Sequence, residues 1–122
     1  MKRSRPKQKI SDFQIAFDAM KPSVHLRSGG LCEAKHFAKT YIGSEGTPEQ
    51  AEALESLYRV QCAVRGNNVH HRKYRSRGGT NFLGNLLELD LNCHSWIHAH
   101  GKFGGPANIL GLALSAGESE EI

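Results

Sequence analysis

The stretch that decides the fold runs from residue 68 to residue 100: NVHHRKYRSRGGTNFLGNLLELDLNCHSWIHAH. It opens on a short strand-like run at 68–71 and continues through a basic, glycine-containing loop at 72–85. Leu86-Leu87-Glu88-Leu89 then reads as a second short strand. Asn92 is placed to cap a helix from Cys93 to about His100. Two strands and a helix in this order, with helical patterns before them, predict an α+β domain.

Histidine is concentrated here. Five of the chain's seven histidines fall between His70 and His100, where even spreading gives about two. His70 and His71 are adjacent at a strand end, so their side chains point to opposite faces. His94 and His98 sit one helical turn apart and about 40° apart around the axis. Two imidazoles so placed can hold one metal ion. A strand that turns His70 toward that helix face supplies a third ligand and leaves His71 free. A free imidazole, with an ordinary pKa of about 6.5, is a general base suited to neutral pH. His25 and His36 stand apart and read as ordinary surface or core residues. A structural zinc finger normally wants two close cysteine pairs, which this chain lacks.

Outward from this core, residues 1–10 carry Lys2, Arg3, Arg5, Lys7 and Lys9 and read as a basic flexible arm, either a disordered tail or a phosphate-tracking segment. Residues 11–66 read as a helical support region. Ser11 is placed to cap a helix through Ala19 that Pro22 ends, and Gly29 and Gly30 mark a turn before Leu31-Cys32-Glu33. Thr47-Pro48-Glu49-Gln50 has the form of a capping box with proline in the first turn. Its helix is expected to run to about Val64, where Gly66-Asn67-Asn68 stops it. Past the core, Gly101, Gly104, Gly105 and Pro106 break the helix. The pattern at 109–114 admits a closing strand or a helix, and 116–122 reads as an acidic flexible tail.

A chain of 122 residues favours one domain, and 39% hydrophobic residues argue against wholesale disorder. No apolar run approaches the length of about 18 residues that a membrane span needs, and the N-terminus lacks the apolar stretch of a secretory signal. Three scattered cysteines, Cys32, Cys62 and Cys93, make no disulfide framework, so a reducing cytoplasm is expected. The net charge of +4 points only weakly to nucleic acid. Its placement says more: Arg72, Lys73, Arg75 and Arg77 lie beside the histidines and suit phosphate contacts that are salt-sensitive and blind to sequence. Gly78 and Gly79 let the loop turn and approach a backbone closely. Trp96 projects away from His94 and His98 and reads as core, with base stacking the alternative.

The quoted run resembles the HNH endonucleases, most of all the small bacteriophage-encoded ones. The namesake positions are His71, Asn85 and His94, and the likeness extends over about 67–115, including the trailing ANILGLALS. The paired histidines and the two helix histidines are also similar to the DNase-colicin form. This resemblance implies a ββα-metal (His-Me finger) core with flanking helices. It implies a nuclease that hydrolyses DNA phosphodiester bonds with one divalent ion (Mg2+, Mn2+, Ni2+ or Zn2+), leaving 5′-phosphate and 3′-hydroxyl ends. By the same resemblance His71 deprotonates the attacking water, and His70 and His94 bind the metal. His98 is a third ligand or a phosphate contact, and Asn85 braces the loop by bonding backbone near His71. The implied partners are DNA and, for a phage-encoded enzyme in the host cytoplasm, terminase and packaging proteins.

Many members of that family hold a structural zinc between two Cys-x-x-Cys pairs. Here the first pair is reduced to Cys32, with Lys35 at the partner position and His36 next to it, and the second reads Asp90-x-x-Cys93. Two outcomes stay open: a mixed zinc site of Cys32, His36, Asp90 and Cys93, or loss of zinc with these positions packing as ordinary residues. Two functions compete with a DNA nuclease. One is a catalytically inactive HNH-fold module that binds DNA or assists packaging; the other is an RNA-cleaving, toxin-like nuclease. No base-reading helix or repeated finger is recognisable, so weak sequence preference is expected.

Overall fold

The computed structural model describes residues 11–120. Strands β1 (Asn68–His71) and β2 (Leu86–Leu89) pair antiparallel, with His70 opposite Leu87 and His71 opposite Leu86. Through Asp90, β2 leads directly into α4 (Leu91–Ala99). Helices α1 (Asp12–Ser28), α2 (Ala34–Ile42) and α3 (Pro48–Tyr58) precede the pair, and one turn of helix, α5 (Pro106–Ile109), follows it. The chain is thus mixed helix and strand, as expected of an α+β domain. Among the described residues no helix is long and apolar enough to cross a membrane.

Pleat alternation divides the sheet. Leu87 and Leu89 join Ala38, Leu57, Cys93, Ile97, Leu110 and Leu112 in one core cluster, where burying a leucine contributes about 1.5–3 kcal/mol. Leu86 and Glu88 point the other way and are buried as well, because α1 packs on that side.

Helix α1 is longer than its sequence predicts. Pro22 lies inside it rather than at its end, and an interior proline removes one helical hydrogen bond at a cost of about 3 kcal/mol. The turns beyond it offset that cost. Val24 is fully buried, His25 Nδ1 lies 2.5 Å from Glu88 Oε1, and Arg27 donates to the Glu33 carboxylate and to the carbonyls of Leu83 and Leu86. Gly29, at φ 64°, then ends the helix in the left-handed conformation that glycine adopts freely. Helix α2 has no counterpart in the sequence reading.

Helix α3 starts at the expected capping box, with Thr47 Oγ1 accepting from Gln50 N–H and the Gln50 side chain accepting from Thr47 N–H. It stops at Tyr58, well short of Val64, because the following chain is drawn to the end of β2. Ala63 N–H donates to Asp90 Oδ2 at 2.9 Å, and Cys32 N–H donates to Val64 O at 2.7 Å. Val64 is held at φ 71°, a costly conformation for a β-branched residue. The cap of α4 is Asp90, which accepts from the Cys93 and Asn92 N–H groups; Asn92 instead donates its amide to Gln61 O. Within 109–114, the turn after α5 leads to a single parallel bridge between Leu114 and Lys73. Residues 116–120 of the expected tail are tied down. Glu118 Oε1 accepts from Asn108 and Ser115, and Glu120 accepts from Thr80. The expected arm, 1–10, and residues 121–122 lie outside the described residues.

Arg72 corrects the sequence reading most sharply. It lies one residue past β1, on the inward face with His70, and is fully buried. Its Nε donates to Gly111 O at 2.7 Å, and its Nη1 donates to Gly84 O and Glu120 O at 2.9 and 3.0 Å. Its guanidinium lies 4.4 Å from the Phe37 ring centroid. Burial lowers its pKa to about 10, so it stays cationic at neutral pH. Arg72 therefore ties the inner loops together and has no surface exposed to meet a phosphate. Arg72→Met keeps the aliphatic stem but strands these carbonyls, so stability is expected to fall by about 3 kcal/mol or more. Urea unfolding measures the loss.

Candidate active site

The pleat of β1 sends His70 inward, where its ring is 3% exposed and Nε2 lies 2.8 Å from Leu112 O. A carbonyl can only accept, so Nε2 carries the ring proton and Nδ1 keeps a lone pair. From α4, His94 and His98 bring their Nε2 atoms to 2.9 Å of each other. One ligand atom from each of His70, His94 and His98 lies within 4.8 Å of the other two. A separation of about 3 Å suits adjacent nitrogens on one ion with bonds of about 2.0–2.1 Å. Tyr74, which the sequence reading missed, places its hydroxyl 3.3 Å from His98 Nδ1 and stacks on that ring. A hydroxyl that takes the Nδ1 proton leaves Nε2 free to face the cluster. Burial lowers the His70 pKa to about 3; burial, then the neighbouring His98, lowers that of His94. Both rings are therefore neutral at pH 7, the form that binds metal.

His71 points to the other face and stands outside the cluster. Its Nε2 lies 2.9 Å from Asn81 Oδ1, and its ring packs against Phe17 and Phe13 of α1, with centroids at 4.3 and 5.5 Å. Residues from both faces of β1 nevertheless border one cleft. That cleft, of about 210 Å³, is lined by His71 together with His70, His94, His98, Tyr74 and Arg75. Asn85 is fully buried beneath the loop. It accepts from Lys73 N–H and donates to the carbonyls of Lys73 and Thr80, the backbone bracing expected of it.

The remaining basic residues are differently placed. Arg75 is exposed on the cleft wall with its guanidinium 4.6 Å from the Phe13 ring. Arg77 is half-buried, lies over Tyr74 at 4.9 Å and donates to Leu114 O. Lys73 is half-buried. The close approach that Gly79 permits is to the chain itself, since a Cβ there would sit 1.8 Å from Lys73 O. Trp96 is half-buried, packed against the core and stacked on His100.

A second group brings Cys32, Cys62, Asp90 and Cys93 within 4.8 Å of one another, one ligand atom each. Cys62 replaces His36 of the expected set; His36 is exposed on α2 and lines a groove with Phe37 and Tyr41. The missed signal was the cysteine count itself, since three thiols and one carboxylate complete four ligands. Cys62 arrives because α3 ends early and the chain turns back to Asp90. A hydrogen bond from the Cys93 thiol lowers the Cys32 pKa to about 7, and the same pairing, with burial, pushes Cys93 up. Burial works against ionised Asp90, but the Ala63 N–H and the Cys93 thiol and N–H hold its carboxyl well below the usual range. A thiol that ionises near neutrality beside a fixed carboxylate is suited to bind a cation.

Compared with protein-family models, curated proteins and solved structures, the chain matches none.

The neutral His70 has a consequence for stability. Its folded pKa is depressed while the unfolded ring titrates normally, so below about pH 6.5 protons bind the unfolded chain preferentially. Stability of the chelator-treated protein is therefore full above about pH 6.5. It should fall by up to about 1.4 kcal/mol per pH unit as the pH drops toward 3. Denaturant midpoints between pH 7 and pH 4 measure this slope, and His70→Asn should flatten it.

Proposed function

We propose that this protein is a metal-dependent HNH-type endonuclease, built on a ββα-metal core, that hydrolyses phosphodiester bonds in DNA. The observation that carries the reading is the shared cleft: three imidazoles converge on one point, and a fourth, His71, borders the same space without joining them. The donor set fits a divalent cation, since the lone pair of His70 Nδ1 and the 2.9 Å pair on α4 suit imidazole-binding metals. His70, His94 and His98 would hold it, and when bound it would supply charge stabilisation at the scissile phosphate. His71 takes a proton from water for in-line attack. Arg75, at the rim, neutralises a neighbouring phosphate, with Lys73 and Arg77 completing a basic loop. Asn85 keeps the loop that follows His71 at a fixed distance from β2. A phage origin, the host cytoplasm and a packaging partner such as a terminase fit this activity and rest on the sequence resemblance alone.

Plasmid nicking tests the reading. The protein with Mg2+, Mn2+, Ni2+ or Zn2+ should cut DNA and leave 5′-phosphate ends, and excess EDTA should abolish cutting. His71→Ala should lower the rate by about 10²–10⁴-fold with metal affinity retained, whereas His94→Ala should lose both. Undiminished cutting by His71→Ala removes the base. Retention of DNA without nicking in any metal favours the inactive binding module, and cutting of RNA alone favours a ribonuclease.

The cysteine group is the better candidate for zinc, since three thiolates and a carboxylate match the soft, four-ligand preference of structural sites. There the ion would clamp the α2 entry, the 59–66 turn and the α4 N-terminus. Cys62→Ser should lose one zinc equivalent in elemental analysis and lower the melting temperature, with the histidine cluster still titrating metal. A full zinc complement in that variant contradicts the assignment.

A further inference from the structure

We infer that Asn81, held by helix α1, is the positioning residue that makes Nδ1 of His71 the proton-accepting atom; this rests on the nuclease reading above. The orientation of the Asn81 amide follows from its partners. Its Nδ2 lies 3.0 Å from Phe13 O, and a carbonyl can only accept, so the nitrogen faces Phe13 and Oδ1 faces His71. Oδ1 is likewise only an acceptor and lies 2.9 Å from His71 Nε2, so in the neutral ring the proton sits on Nε2. The lone pair is left on Nδ1. Rotation of the ring is opposed by Phe17 and Phe13, whose centroids lie 4.3 and 5.5 Å from that of His71.

One segment thus supplies both restraints: α1 provides the rings and the carbonyl that fixes the amide. Asn81 itself comes from the loop braced by Asn85, which holds Thr80 O at 2.8 Å. The base is therefore set by a helix that precedes the β1–β2–α4 unit. With the loss of Oδ1 the neutral ring is free to place its proton on either nitrogen, and the fraction with Nδ1 unprotonated falls. Because Asn81 is absent from the metal-binding group, metal affinity should be untouched.

The full-length protein, metal-free, is examined by long-range proton–nitrogen correlation NMR, with His71→Gln identifying the signals of ring 71. The expected wild-type spectrum has Nε2 protonated and Nδ1 bare. Asn81→Leu should populate both tautomers and, with metal, lower kcat by about 10- to 100-fold at unchanged KM and metal affinity. Asn81→Asp keeps the acceptor for His71 but sets a carboxylate oxygen against Phe13 O, so it should keep the Nε2-protonated form with activity between those of Asn81→Leu and the wild type. A wild-type spectrum with Nδ1 protonated overturns the inference, as does a tautomer unchanged in Asn81→Leu. If Asn81→Leu does not fold, loss of the Nε2-protonated form in Asn81→Asp has the same force. The tautomer is read without catalysis, so a wild-type protein that cuts nothing defeats the nuclease reading while the spectrum still judges Asn81.

Discussion

Neighbouring residues on a strand face opposite ways, and the arrangement of this molecule depends on that constraint being applied to His70 and His71. The inward ring is buried, neutral and tied to Leu112. The outward ring is wedged between α1 and the loop. Slippage of β1 by one residue against β2 would exchange the two rings and leave neither role filled. The register is held because Leu87 and Leu89 belong to the core while Glu88 meets His25 from α1, so each face of β2 has its own partner.

Asp90 stands where several of these requirements meet. It ends β2, caps α4, and accepts from Ala63 N–H while lying against the thiols of Cys32 and Cys62. One carboxylate thereby sets the direction of the helix that carries His94 and His98. It also fixes where the chain returns after α3. Arg72 plays a comparable part on the other side, joining the loops before β2 and after α5. A charge that looks like a DNA contact in the sequence is spent on internal carbonyls, which leaves Arg75 as the exposed cation of the cleft.

The strands, the histidine spacing and the capping box of α3 were legible because each depends on local periodicity and local hydrogen bonds. The site divides along the same line. The grouping of His70, His94 and His98 follows from a pleat and a helical turn, and Asn85 follows from resemblance. Asn81, Tyr74 and Cys62 were not legible, because each acquires its role only when distant segments meet: α1 with the loop, the loop with α4, and the end of α3 with Asp90. Pro22 misled for a related reason, since the tertiary contacts of Val24, His25 and Arg27 outweigh the local preference to stop a helix. The charge of Arg72 points to the surface, whereas its alternation with His70 at the end of β1 places it inward, and the alternation prevails.

The central claim, that three imidazoles share one cation while the adjacent fourth stays unligated, is tested most directly by anomalous diffraction. Crystals grown with Mn2+ or Zn2+ would be measured on either side of the absorption edge of the metal. The account predicts an anomalous peak bonded to His70, His94 and His98, with His71 turned to the open cleft and still bonded to Asn81. A peak bonded to His71, or none among the three rings under saturating metal, would contradict it.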